Sequence, residues 1–289
     1  VTGPSPPLPI DLDAFDALKK IVTLPDGQRL AYIDAGNPAG PPVVLIHGYT
    51  DSARDWVPML PYVAGHFRLI LVDIRGHGRS GKPESGYRRQ DFAGDIRRLL
   101  DRLGVQRADI VGHSLGSIIA QTFAACWPAR TRRVVLISST GGPPAGAQPP
   151  PPQFDFAAQI RGLQEPIDPD SPFMVAWWSS PTPVDPEFLR RQRHDAAGIP
   201  LHVWLAVLDQ SLSDRALADL AQMLPRIEAP VLLIWGSEDP IMEEPVRRTL
   251  RDGLPRAEIR VFTGLGHNPF WEDPAGVAQL INEFLARSG

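Results

Sequence analysis

Asp109-Ile110-Val111-Gly112-His113-Ser114-Leu115-Gly116 is the stretch on which the fold turns. Its first three residues read as a short buried strand. Leu115–Trp127 is an apolar run closed by Pro128 and reads as a helix. Residues 112–116 between them follow the pattern Gly-x-Ser-x-Gly. A strand that becomes a helix this abruptly forces the serine into a strained backbone, and glycines two residues to either side remove side chains that would collide. Ser114 is therefore expected to project past a sheet edge at the positive end of a helix.

Outward from this turn, strand and helix signals alternate. Short apolar or β-branched runs occur at Arg29–Ile33, Val43–Ile46, Leu69–Val72, Val134–Ile137, Val231–Trp235 and Ile259–Phe262. Several are continuous rather than alternating, as in parallel strands covered on both faces. Phe92, Ile96, Leu99, Leu100 and Leu103 share one helical face, and Pro274–Leu285 begins after Asp273, a suitable N-cap. The expected class is α/β, with a mostly parallel, doubly wound sheet flanked by helices.

The alternation stops near Ser138 and resumes at Val231. Of the 32 prolines, four lie in residues 1–10 and thirteen between Pro143 and Pro200. This divides the chain into a Pro-rich leader (residues 1–20), a core (21–140 and 226–289) and an inserted, mainly helical cap (141–225). Proline restricts backbone freedom, so a cap of fairly fixed shape is expected.

Bulk composition mostly excludes. The 289 residues are 43% apolar and 21% charged, enough for a sizeable core. A net charge of −4 gives no electrostatic footprint for nucleic acid. The single cysteine, Cys126, excludes an internal disulfide and a multi-cysteine metal site. No apolar run reaches the ~18 residues of a membrane span. No charged-then-apolar leader follows Val1, and the compartment stays open between cytoplasmic and exported.

A serine hydroxyl needs a base, and the base needs an orienting carboxylate. His267, in Gly264-Leu265-Gly266-His267-Asn268, follows the last strand at the edge where open α/β sheets place ligands. His47, His77 and His113 are expected to pack or hydrogen-bond within their own turns. Asp239, in Trp235-Gly236-Ser237-Glu238-Asp239-Pro240, is the favoured carboxylate, with adjacent Glu238 the weaker alternative. The other candidate location, Ser138-Ser139-Thr140-Gly141-Gly142, contains no acid. Charge developing on a substrate oxygen requires placed donors. The backbone N–H of Leu115 is one, and that of Tyr49, in His47-Gly48-Tyr49-Thr50, is the other. Each can supply about 3 kcal/mol. Neither a metal nor an organic cofactor is expected.

Together these motifs resemble the α/β-hydrolase superfamily, in its branch with a cap between the sixth and seventh core strands. The resemblance runs over roughly Ile21–Arg287. It rests on His47-Gly48, on Asp73-Ile74-Arg75-Gly76-His77-Gly78-Arg79-Ser80, on Gly112–Gly116, on Gly236–Asp239 and on Gly266-His267. The order Ser114, Asp239, His267 is that of the superfamily's triad. Epoxide hydrolases and haloalkane dehalogenases carry aspartate where Ser114 stands. Meta-cleavage carbon–carbon hydrolases usually have a more glycine-rich oxyanion loop, and cofactor-free haloperoxidases often have Met where Leu115 stands. The esterase and lactonase group is the most similar. The resemblance thus implies a serine hydrolase acting on carboxylic esters, or lactones, of small to medium apolar substrates. Carbon–carbon hydrolysis or perhydrolysis on the same triad is the alternative, and a ligand-binding receptor on this fold a further one. The cap holds Phe154, Phe156, Phe173, Trp177, Trp178, Phe188 and Trp204. These form either the cap's own core or a substrate pocket, with Trp177 and Trp178 the pocket candidates.

Overall fold

Eight strands form one sheet in the order β1-β2-β4-β3-β5-β6-β7-β8. Their ranges are β1 Lys20–Thr23, β2 Arg29–Gly36, β3 Pro42–Ile46, β4 Arg68–Asp73, β5 Ala108–His113, β6 Thr131–Ile137, β7 Val231–Gly236 and β8 Glu258–Phe262. The computed structural model describes residues 11–143 and 155–287. Residues 1–10, the Pro149–Pro152 run and Phe154 lie outside the described residues.

From β4 to β8 every neighbouring pair is parallel, whereas β1 and β2 are antiparallel additions. All residues of β5 and β7 are buried, which explains their unbroken apolar runs. β1 has no such run: it lies at the exposed sheet edge, pairs only with β2, and so left no apolar signal in the sequence. The turn between them uses Gly27 at φ 86°, a conformation few other residues adopt.

The flanking helices include α1 (Leu12–Ala17), α2 (Arg89–Arg102) and α3 (Leu115–Cys126). Between β6 and β7 come α4 (Phe156–Arg161), α5 (Pro172–Trp177), α6 (Pro186–Ala197), α7 (Leu201–Val207), α8 (Asp214–Leu217) and α9 (Leu220–Met223). Last are α10 (Glu244–Gly253), α11 (Pro269–Glu272) and α12 (Pro274–Leu285). Phe92, Ile96, Leu99 and Leu100 are buried on α2, as their spacing predicts. α3 is apolar around most of its circumference and is buried along nearly its whole length. Among the described residues no helix is long and apolar enough to cross a membrane.

The segment between β6 and β7 does not make a separate core. Met174, Trp178, Phe188, Val203 and Trp204 belong to the same buried cluster as the sheet. The motif Asp73–Ser80 locks the end of β4. Asp73 accepts from the amides of Ala53 and Arg79, Ser80 Oγ donates to the Asp73 carbonyl, and Arg75 forms a bidentate pair with Asp95.

Candidate active site

The candidate residues lie on loops that leave the C-terminal ends of the parallel strands β3, β5, β7 and β8. Ser114 forms the turn from β5 into α3 with φ 49° and ψ −118°, and its N–H donates to the Ile137 carbonyl at 2.9 Å. The flanking glycines are sterically required. A methyl at Gly112 would strike the Gly116 carbonyl, and one at Gly116 would strike the carbonyls of Ile46 and His47. Ser114 remains partly exposed while its neighbours are buried.

Asp239 leaves β7 with its carboxylate buried. Its Oδ1 accepts from the amides of Ile241 at 2.9 Å and Met242 at 3.1 Å. His267 Nδ1 lies 3.0 Å from Asp239 Oδ1 and 2.9 Å from Oδ2. Facing a carboxylate, Nδ1 carries the hydrogen, so Nε2 holds the lone pair. Burial opposes charge on Asp239, yet His267 and the two amides outweigh it and bring its pKa down to about 2. Burial likewise opposes a charged imidazolium, but the Asp239 carboxylate wins and His267 is shifted upward. Glu238 is exposed and accepts a bond from Ser237 Oγ.

The His267 loop is fastened to the turn that carries Ser114. The His267 carbonyl accepts from Ser138 Oγ at 2.7 Å and from His113 Nε2 at 3.0 Å, and the His113 and His267 ring centroids stand 5.1 Å apart. The Gly266 amide donates to Glu272 Oε2 at 2.7 Å. Gly236 lets the β7 and β8 loops close, because a methyl there would strike the carbonyls of Leu265 and Gly266.

After β3, the loop His47–Thr50 turns at Thr50, which has φ 68°. No described residue offers an acceptor to the amide of Tyr49 or of Leu115. The helices between β6 and β7 grip this loop. Trp177 Nε1 donates to Thr50 Oγ1 at 3.0 Å, and Tyr49 Oη donates to the Trp204 carbonyl at 2.7 Å. The Tyr49 ring meets Trp177 and Trp204 edge-on. Trp177 is partly exposed over the loop, whereas Trp178 is only 2% exposed. Their rings stand at 69° to each other.

His47 keeps within its surroundings, its Nδ1 donating to the Gly48 carbonyl and its Nε2 accepting from Ile74 N. His77 is buried against the Arg75 carbonyl. His113 does more than the sequence suggests, because it ties the Ser114 turn to the His267 loop. It also completes a group the motif reading did not anticipate. Asp51, Asp55 and His113 are all buried, with ligand atoms within 4.8 Å of one another. The only sequence signal was a pair of aspartates four residues apart after the His-Gly loop.

A family model described as alpha/beta hydrolase fold matches residues 41–274. An uncharacterized protein of Mycobacterium tuberculosis (strain ATCC 25618 / H37Rv) is 29% identical over 278 residues, covering 90% of this chain and 79% of its own. A 2-hydroxy-6-oxononadienedioate/2-hydroxy-6-oxononatrienedioate hydrolase of Paraburkholderia xenovorans (strain LB400) is 28% identical, covering 90% of this chain and 92% of its own. Among solved structures, an esterase from Rhodococcus sp. ECU1013 superimposes with a TM-score of 0.79 at 24% identity, over 94% of this chain and all of that one. At that identity the likeness is one of fold.

Proposed function

The chain belongs to the alpha/beta hydrolase family, and on that premise we propose that it is a serine hydrolase of carboxylic esters or lactones. The observation that carries the reading is the Asp239–His267 pair, whose loop His113 ties to the strained turn of Ser114 and Ser138 ties to the end of β6. In this reading Ser114 Oγ attacks the carbonyl carbon and its proton passes to His267 Nε2, while Asp239 holds the ring and stabilises its charge. The oxyanion is received by the Leu115 and Tyr49 amides. The alcohol leaves with the proton from His267. Water, deprotonated by the same nitrogen, then releases the acid and restores Ser114.

The reaction needs neither metal nor organic cofactor. Residues 141–225 act as the cap over a core of 21–140 and 226–289. Small to medium apolar substrates fit the aromatic surroundings of Tyr49, with Trp177 and Trp178 as pocket residues. Ser114→Ala is expected to lower kcat on a p-nitrophenyl ester by at least about 10⁴ while circular dichroism stays unchanged. Full activity in that variant sinks the assignment.

Carbon–carbon hydrolysis on the same residues is the second reading, favoured by the name of the Paraburkholderia relative. Cleavage of a vinylogous diketone faster than of an ester would select it; turnover of acetate with peroxide would select perhydrolysis. A receptor on this fold would leave a fluorophosphonate probe unreacted with folded protein.

A further inference from the structure

In the Asp51–Asp55–His113 group beneath the oxyanion loop, the Asp55 carboxylate and His113 Nδ1 face each other as acceptors, while Asp51 has the Trp178 indole beside it. His113 Nε2 points at the His267 carbonyl and therefore carries the ring hydrogen, which leaves a lone pair on Nδ1. That lone pair has no hydrogen-bond partner among the described residues, nor has either carboxylate oxygen of Asp55, 3.6 Å away at Oδ2. Asp51 closes the group from the loop. A methyl at Gly48 would stand 2.8 Å from both Asp51 Oδ2 and His113 Nδ1, so the loop backbone is sealed onto it. Two ionised carboxylates and a lone pair in contact are untenable in a buried site; a proton or a cation must join them.

We propose that the Asp51–Asp55 pair holds one proton, carried on Asp55 and directed at His113 Nδ1, and that this singly charged acid pair positions the oxyanion loop and the His267 loop. A charged His113 is ruled against by burial, which takes its pKa down to about 3. Burial pushes both aspartates well above the usual carboxylate range, and the charge of Asp55 adds to the shift of Asp51. The groups facing the pair are His113 on β5, His267 with Asp239 behind it, the Trp178 and Trp271 indoles and the Gly48 amide; these donors favour the ionised forms, and burial outweighs them. Arg54, between the two aspartates in sequence, turns away to Asp16 and Asp195. A cation held by the same three side chains is the competing occupant, and metal binding by calorimetry separates it from a proton.

The inference rests on the hydrolase reading only for its effect on rate. A native pKa above the unfolded value means that the pair's stabilisation is complete in acid and is lost as pH rises through the native pKa. Unfolding of the whole chain by urea, followed from neutral to mildly alkaline pH, is expected to show stability falling with pH. Asp55→Asn offers an amide donor to His113 and has no proton to lose. Its slope should be shallower by about one proton. In the wild type, ¹⁵N shifts should report His113 with hydrogen on Nε2 at neutral pH. Neither readout requires turnover, so both remain decisive if esters prove not to be substrates. For ester hydrolysis, the rate should rise through the His267 pKa and fall again on the alkaline side, and Asp55→Asn should lack the fall. Equal slopes in wild type and variant, hydrogen on His113 Nδ1, or saturable binding of zinc or calcium by calorimetry would each overturn the proposal. If Asp55→Asn does not fold, Asp51→Asn and the wild-type tautomer give the same decision.

Discussion

Ser114, Thr50 and Ser138 hold φ values of 49°, 68° and 47°, although none is glycine. All three follow adjacent strands of the sheet, β5, β3 and β6, at the edge where the candidate site lies. Strain of this kind costs about 1–3 kcal/mol per residue and persists where the surroundings over-determine it. Here the Trp177 indole holds Thr50, and Ser138 spends its hydroxyl on the His267 carbonyl. Only the strain at Ser114 was legible, because glycines flank it; Thr50 and Ser138 have no such signature. Asp239 raises the pKa of His267 against the effect of burial, and only the neutral ring can act as base. Asp239→Asn should therefore move the rising limb of the pH–rate profile to lower pH and cut kcat by about 10⁴ through the wrong tautomer. An unmoved limb would show that another group sets the profile.

At the level of elements, proline acquires a second meaning. It stands in the first turn of α5, α6, α10, α11 and α12, where its missing N–H costs no bond. Ser171, Asp185 and Asp273 cap α5, α6 and α12 just before their prolines. Part of the proline excess is thus helix initiation. The β5–α3 unit depends on a different constraint. Gly116→Ala would press a methyl into the carbonyls of Ile46 and His47, backbone atoms that cannot rotate aside. The expected loss is about 3 kcal/mol of stability, read as a lowered urea midpoint. A neutral outcome would mean that α3 can slide away from β3. The helices of α2, α3 and α12 were readable because one face or the whole surface is apolar over several turns. β1 was not, since an exposed edge strand buries little and needs no pattern.

Across the whole molecule, buried charges join parts distant in sequence. Arg54, almost fully buried, pairs with Asp16 near α1 and with Asp195 on α6, while Lys19 bridges Asp16 and Asp73 at 3.0 and 2.9 Å. The N-terminal helix, the sheet and the proposed cap thus share one ionic joint. Arg54→Met strands carboxylates in that joint and should cost about 3 kcal/mol, measured as a shifted unfolding midpoint. An unchanged midpoint would mean that water solvates Asp16 and Asp195 equally well. None of these partners could be paired from sequence, because ion pairs have no periodicity and many acids compete for each arginine. By itself the sequence determined the sheet class, the Ser114 turn, and Asp239 and His267 as candidates on their loops. Those depend on local backbone sterics and on runs of apolar residues, which a linear chain displays. The tertiary structure alone decided that His113 anchors His267, that Trp177 grips the His47–Thr50 loop and that Asp51 and Asp55 meet beneath it. Such contacts exist only once strands far apart in the chain lie a few ångströms apart, where burial changes what each polar group requires.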